Sequence, residues 1–199
     1  MPYSKTRKIV SRQKILESAY KLYSSRSYEE VTIDAVMENC GMTRGGFYAH
    51  FQNKTELYRC AIEYAFANSK LANSECNTWR NEREHLTDIL DGYLSLEHVN
   101  GNNPCPLAFL TSDIALRDSE TRQIFADAYA AVNKKVWAYA KTFSQINESD
   151  IAPLTAMVVG TVALTRSITD EITVENMLKS TRRHVEIHLG ITFDTKSLT

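Results

Sequence analysis

Apolar positions recur at three- and four-residue spacing along almost the whole chain, and strand-like alternation is absent. Ser11 has the chemistry of an N-cap, and Ile15, Ala19, Leu22 and Tyr23 then share one face of a first helix that ends at Ser24-Ser25-Arg26-Ser27. Thr32 caps a second helix whose inward stripe is Ile33, Val36, Met37 and Cys40. Gly41 stands where that helix must stop, in the left-handed conformation that glycine enters without a Cβ penalty. Thr43 opens a third, short helix to about Phe51. Asn53 followed by Glu56 resembles a capping box for a fourth helix reaching about Ser74. Five more helices are predicted near 82–99, 105–117, 119–145, 150–169 and 174–189. Loops fall at Gly101-Asn102-Asn103-Pro104 and Asn147-Glu148-Ser149-Asp150, Thr173 is the cap of the last helix, and Gly190 lies just past its end. The pattern predicts an all-α fold of about nine helices.

Composition narrows the class. Seven Gly and four Pro in 199 residues leave few sharp turns, which favours long helices over a many-turned β architecture. No apolar run reaches the roughly eighteen residues a membrane span needs, and the basic start Lys5-Thr6-Arg7-Lys8 leads into no signal-peptide core, so a cytoplasmic protein is expected. Cys40, Cys60, Cys76 and Cys105 form no CxxC pair, which argues for reduced thiols rather than disulfides or zinc. The formal charge of −1 hides an asymmetry: residues 1–60 carry ten Lys/Arg against six Asp/Glu, and the rest carry thirteen against eighteen. A basic head on an acidic body suits a head that binds a polyanion. No GxxxxGK[ST], GxSxG or HExxH motif occurs, so catalysis has no residues to rest on, and no cofactor is expected.

The segment from Thr32 to Phe51 reads helix, glycine turn, short helix, the arrangement of a helix-turn-helix whose second helix enters the major groove of DNA. Gly45 and Gly46 in the first turn of that second helix each cost about 1 kcal/mol relative to Ala. Such a cost makes sense where backbone must come close to a partner; easing the packing against the preceding helix is the other reading. Thr32 and Thr43 lie at helix starts that attract phosphate. Arg44 has the fork to engage guanine O6 and N7, or a phosphate. Tyr48 and His50 can donate to phosphate oxygens, and Lys54 adds a cation at the start of the fourth helix. Phe47 and Phe51 have the i, i+4 spacing of a buried pair.

The run Gly41-Met42-Thr43-Arg44-Gly45-Gly46-Phe47-Tyr48-Ala49-His50-Phe51-Gln52-Asn53-Lys54-Thr55-Glu56-Leu57-Tyr58 resembles the signature of the TetR/AcrR family of bacterial transcription regulators. Ile15, Ala19, Leu22, Tyr28 and Thr32-Ile33 fall where that family's first two helices carry comparable residues. The resemblance covers roughly residues 10–60. It implies an all-α homodimer with a DNA-binding domain at 8–60 (recognition helix about 43–51) and a ligand-binding and dimerisation domain at 61–199. It also implies a subunit interface formed by the last two long helices, and release from DNA when a small-molecule inducer binds. By position in the motif, Thr32, Thr43, Arg44, Tyr48, His50 and Lys54 inherit DNA-contacting roles. Gly45-Gly46 leaves fewer base-reading side chains than is usual there. Two-fold symmetry implies a near-palindromic double-stranded operator.

The body is less specific. Ile151, Leu154, Met157, Val158, Val162 and Leu164 on one late helix, and Met177, Leu178, Val185 and Leu189 on the next, make broad apolar faces that suit an interface or an ordinary core. Tyr93, Phe109, Tyr129, Trp137 and Met157 are candidate lining for an effector cavity, or packed core. Cys105, at a helix start, is a candidate redox or electrophile sensor because the helix dipole favours a thiolate. His184 and His188 have metal-compatible spacing but no third ligand. Their position near a helix end, beside Arg182 and Arg183, is explained by the macrodipole, and no metal is expected.

Overall fold

The computed structural model describes residues 5–69, 81–101 and 105–194. Among them are ten α-helices and no strand: α1 (Lys5–Tyr23), α2 (Ile33–Asn39), α3 (Arg44–Phe47), α4 (Lys54–Ala67), α5 (Glu82–Tyr93), α6 (Leu96–Asn100), α7 (Pro106–Ala115), α8 (Ser119–Ala140), α9 (Glu148–Thr165) and α10 (Glu171–Leu189). The chain divides into two compact units, one holding residues 1–69 with 110–128 and the other residues 70–109 with 129–199.

In the first unit α1 packs on α2 and α4. Ile15, Leu16, Ala19 and Tyr23 of α1 are buried with Val36 and Met37 of α2, Phe47, Phe51, and Leu57, Tyr58 and Ile62 of α4. The unit reaches past the predicted boundary at residue 60 for two physical reasons. The buried stripe of α4 continues through Ala61, Ile62 and Ala65. Segment 110–128 is also bonded to this helix: Tyr58 donates to Asp113 at 2.6 Å, Arg59 donates to Asp118 at 2.8 Å, and the Phe66 and Phe125 rings meet edge to face. Asp118 also accepts the Thr121 amide, chiefly for which its carboxyl is held down to about 2.

The second unit is built on a core from α5, α6, α8, α9, α10 and the following residues, with Leu86, Leu94, Val136, Ile151, Val162 and Leu178 among its buried members. The helix predicted over 82–99 is broken at Leu94-Ser95, where the Ser95 hydroxyl accepts the His98 amide and starts α6. The start of α10 lies before Thr173: Asp170 is the cap and accepts the Thr173 amide at 3.0 Å. Gly190 ends α10 in the left-handed conformation, as its position predicts. Helix α4 stops at Ala67, short of the end predicted near Ser74, with Asn68 at its C-cap; the loop expected at 101–104 lies largely outside the described residues, as does Cys76. Ser11 is not a cap. Helix α1 begins at Lys5, and the Ser11 hydroxyl, inside it, donates to the Arg7 carbonyl at 2.9 Å.

Candidate nucleic-acid interface

Thr32 adopts extended backbone and accepts the Ala35 amide at 3.1 Å, which satisfies a free donor at the start of α2. At the other end the chain reverses through a Schellman turn. Gly41, at φ +69°, donates to the Glu38 carbonyl at 2.9 Å, and Met42 donates to the Met37 carbonyl at 2.8 Å. This turn delivers Thr43 to the N-cap position of α3, where its side chain makes no capping bond. Helix α3 has only four residues, shorter than the helix predicted through Phe51, and the amides of His50 and Phe51 both reach back to the Phe47 carbonyl. Phe47 and Phe51 are buried against one another with ring centroids 5.7 Å apart, as their spacing predicts. Asn53 accepts the Glu56 amide, and Glu56 reaches back to accept the Gln52 amide, a near capping box that starts α4.

This scaffold presents Arg44 and Tyr48 outward. The Tyr48 side chain is exposed and braced edge-on against Phe47. Arg44 donates to Asp34 of α2 at 2.6 Å, with both side chains mostly exposed. Gly45 is exposed, and a Cβ placed on it meets nothing within 4 Å. One on Gly46 makes only ordinary contacts, with the Cε atoms of Met37 and Met42 at 3.6 and 3.7 Å. Packing therefore requires neither glycine.

Two predicted contact residues are drawn into the protein instead. The Nε2 of His50 lies 3.0 Å from the Ser11 hydroxyl on α1. Ser11 spends its own proton on α1 carbonyls, which places the imidazole proton on Nε2 and leaves Nδ1 buried without a partner. Burial, then the nearby Lys8 and Arg12 charges, push the His50 pKa down. His50 thus ties the end of the recognition segment to α1, where Arg12 also covers the Phe51 ring at 4.8 Å. Lys54 lies over the Tyr28 ring at 4.3 Å and donates to the Glu29 carbonyl at 3.4 Å; burial pulls its ammonium below the usual lysine range. Arg117 covers the same ring at 4.6 Å. These couplings of Ser11 with His50 and of Tyr28 with Lys54 carry no signal in residue spacing, and sequence reasoning missed them.

Residues 15–60 match the family model described as "Bacterial regulatory proteins, tetR family". Over this segment the chain is similar to TetR-family regulators. Among curated relatives, the HTH-type transcriptional regulator YerO of Bacillus subtilis is 24% identical over 57% of this chain and 40% of its own length. The biofilm operon icaADBC HTH-type negative transcriptional regulator IcaR of Staphylococcus epidermidis is 31% identical over 28% of this chain and 30% of its own. The chain thus spans less than half the length of these two relatives. Solved structures extend the likeness over the fold. E. coli NemR in its reduced form shares 13% identity, covers 90% of this chain and 98% of its own, and has a TM-score of 0.75. A transcriptional regulator from Saccharomonospora viridis in complex with choline shares 20% identity over 89% and 96%, with a TM-score of 0.67. The all-α TetR-family fold is that expected from the sequence, and its relatives are regulators rather than enzymes.

The remaining candidates lie in the second unit. Tyr93, Trp137 and Met157 pack half-buried against its core, Phe109 is half-buried on α7, and Tyr129 donates to the Ala152 carbonyl at 2.8 Å and meets the Thr155 hydroxyl. Cys105 does stand at the start of α7, but burial pushes its thiol up by more than the Tyr93 hydroxyl and the helix amides pull it down. That is the reverse of the direction expected for a sensor. Cys105→Ser is accordingly expected to leave oxidant sensitivity of DNA binding unchanged, as measured by gel shift with and without peroxide. A lost response would restore the sensing role. His184 and His188 each direct Nδ1 at the carbonyl four residues back, at 2.8 Å. No described helix is long and apolar enough to cross a membrane.

Proposed function

We propose that this chain is a sequence-specific DNA-binding regulator that acts in the cytoplasm as a homodimer. In this reading it represses by occupying a near-palindromic operator and leaves it when a small molecule binds the second unit. The observation that carries the DNA reading is the Gly45-Gly46 pair, exposed at Gly45 and half-buried at Gly46, beside outward-facing Arg44 and Tyr48. Two helix-weakening residues that no packing requires are explained by close approach of backbone to a groove. Thr32 and Thr43, at two helix starts, supply phosphate contacts, while His50 holds the segment on α1 and Lys54 is held over the Tyr28 ring.

IcaR is named a negative regulator and the S. viridis protein is a choline complex, which supports repression and a small-molecule effector here. Tyr93, Phe109, Tyr129, Trp137 and Met157 remain the proposed lining. Exposed Leu164 on α9 and Ile172 and Ile187 on α10 support a subunit interface on the last two long helices.

Selection from a random duplex pool by the purified protein tests the reading, with inverted repeats as the expected product. Gly45→Ala makes the test specific. Its Cβ meets no protein atom, so thermal stability should hold or rise. Affinity for the selected repeat should fall by about tenfold or more, the equivalent of 1.4 kcal/mol. Binding that survives the added methyl undiminished removes the argument from close approach.

A further inference from the structure

We infer that Asp34 is a specificity-determining residue of the proposed DNA site, acting with Arg44 as one reading unit; the inference rests on the DNA-binding reading above. Arg44 is the sole charged side chain on α3, since its neighbours are Gly45, Gly46 and Phe47. Its Nη1 donates to Asp34 Oδ2 at 2.6 Å, joining the first turn of α2 to the first turn of α3 across ten positions of sequence. The side chains are 60% and 58% exposed, so the pair contributes little to the fold. Asp34 does sit favourably against the α2 dipole, but Thr32 already caps that helix.

A carboxylate on a surface that meets DNA has a distinct consequence. In non-specific binding Arg44 meets phosphate oxygens rather than base edges; taking one breaks the pair and leaves Asp34 facing a polyanion. A G·C-containing step offers a partner to each: guanine O6 and N7 accept from the guanidinium edge that Asp34 does not occupy, and the cytosine N4 amino group donates to the carboxylate. Asp34 therefore lowers affinity for every sequence and restores it where the bases answer both members. It also fixes Arg44 on a helix whose glycines provide no side-chain wall.

The test uses the full-length protein as wild type, Asp34→Asn, Asp34→Glu, Arg44→Ala and the Asp34→Asn/Arg44→Ala double variant. Each is measured against a random 40-bp duplex pool and against the duplex most enriched by the wild type. Asp34→Asn is expected to bind the random pool more tightly and to steepen its log–log salt dependence by about one. The preference for the enriched duplex should fall about tenfold, with a G·C position relaxed in a repeated selection. Asp34→Glu should keep the preference, and in the Arg44→Ala background Asp34→Asn should relieve repulsion on both DNAs alike without changing the preference. An unchanged preference, or a proportional loss on both DNAs that persists without Arg44, overturns the inference and leaves Asp34 a helix-start residue. Should the wild type enrich no sequence at all, the DNA-binding reading itself fails and takes the inference with it. A wild type that enriches a sequence while Asp34→Asn behaves identically sinks the inference alone.

Discussion

Arg182→Ala is expected to destabilise the second unit by about 3–5 kcal/mol, the usual cost of removing one partner from a buried ion pair. The Arg182 side chain is 6% exposed and donates to the Asp91 carboxylate at the end of α5. It also donates to the Leu94 carbonyl at 3.2 Å, where α5 gives way to α6, and to the Asp194 carbonyl at 2.9 Å beyond α10. Its guanidinium lies 4.5 Å from the Phe193 ring centre. One planar fork thus joins three stretches of chain, and alanine would strip a charge partner from Asp91 and donors from two carbonyls together. Lysine cannot reproduce this geometry, so Arg182→Lys should recover only a minor part. Urea unfolding followed by circular dichroism is the measurement, with a lower midpoint at an unchanged slope. A shift worth under about 1 kcal/mol would show that water replaces the arginine's bonds.

Arg182 also marks the limit of what the sequence reveals. Read along the chain, it belongs to a run of cations near a helix end, which the helix dipole explains. In the fold its neighbour Arg183 is exposed while Arg182 is buried seven positions before the end of α10. Local signals behaved differently. The turn at Gly41, the cap at Thr32, the buried Phe47–Phe51 pair and the start of α4 at Asn53 are each decided within four or five residues, and each is where the spacing puts it. The misjudged features depend on segments far apart in the chain. The tie of Ser11 to His50 has no trace in spacing, and Lys54 looks like a solvated cation until Tyr28 lies beneath it. Cys105 shows competition between two effects at one atom. Its position at a helix start is legible from sequence, but the burial that outweighs the dipole is a property of the packed second unit. The pairing of Asp34 with Arg44, ten residues apart, has no periodicity to announce it.

Glutamate at both Ile172 and Ile187 is expected to convert the proposed dimer to monomer and to reduce affinity for an inverted repeat by about 10²–10⁴-fold. The two isoleucines are 72% and 69% exposed within one chain, and four helical turns separate them on α10. Their replacement removes nothing from the core of the chain itself, whose α10 members are Val174, Leu178, Val185 and Leu189. In a dimer the same side chains lose contact with water, and two carboxylates there would be desolvated without partners. Leu164, exposed on α9, is the natural third position if two charges leave residual association. Affinity falls steeply because the second half-site is bound intramolecularly in a dimer, at an effective concentration far above that of free protein. Sedimentation velocity reads the association state, and gel shifts on a full repeat and on one half-site read the consequence. Half-site affinity should stay unchanged, since the first unit is untouched; if it falls in step with the full repeat, the substitutions have damaged the fold. A wild-type chain that sediments as a monomer at micromolar concentration, yet binds the full repeat tightly, would place the origin of that affinity outside α9 and α10.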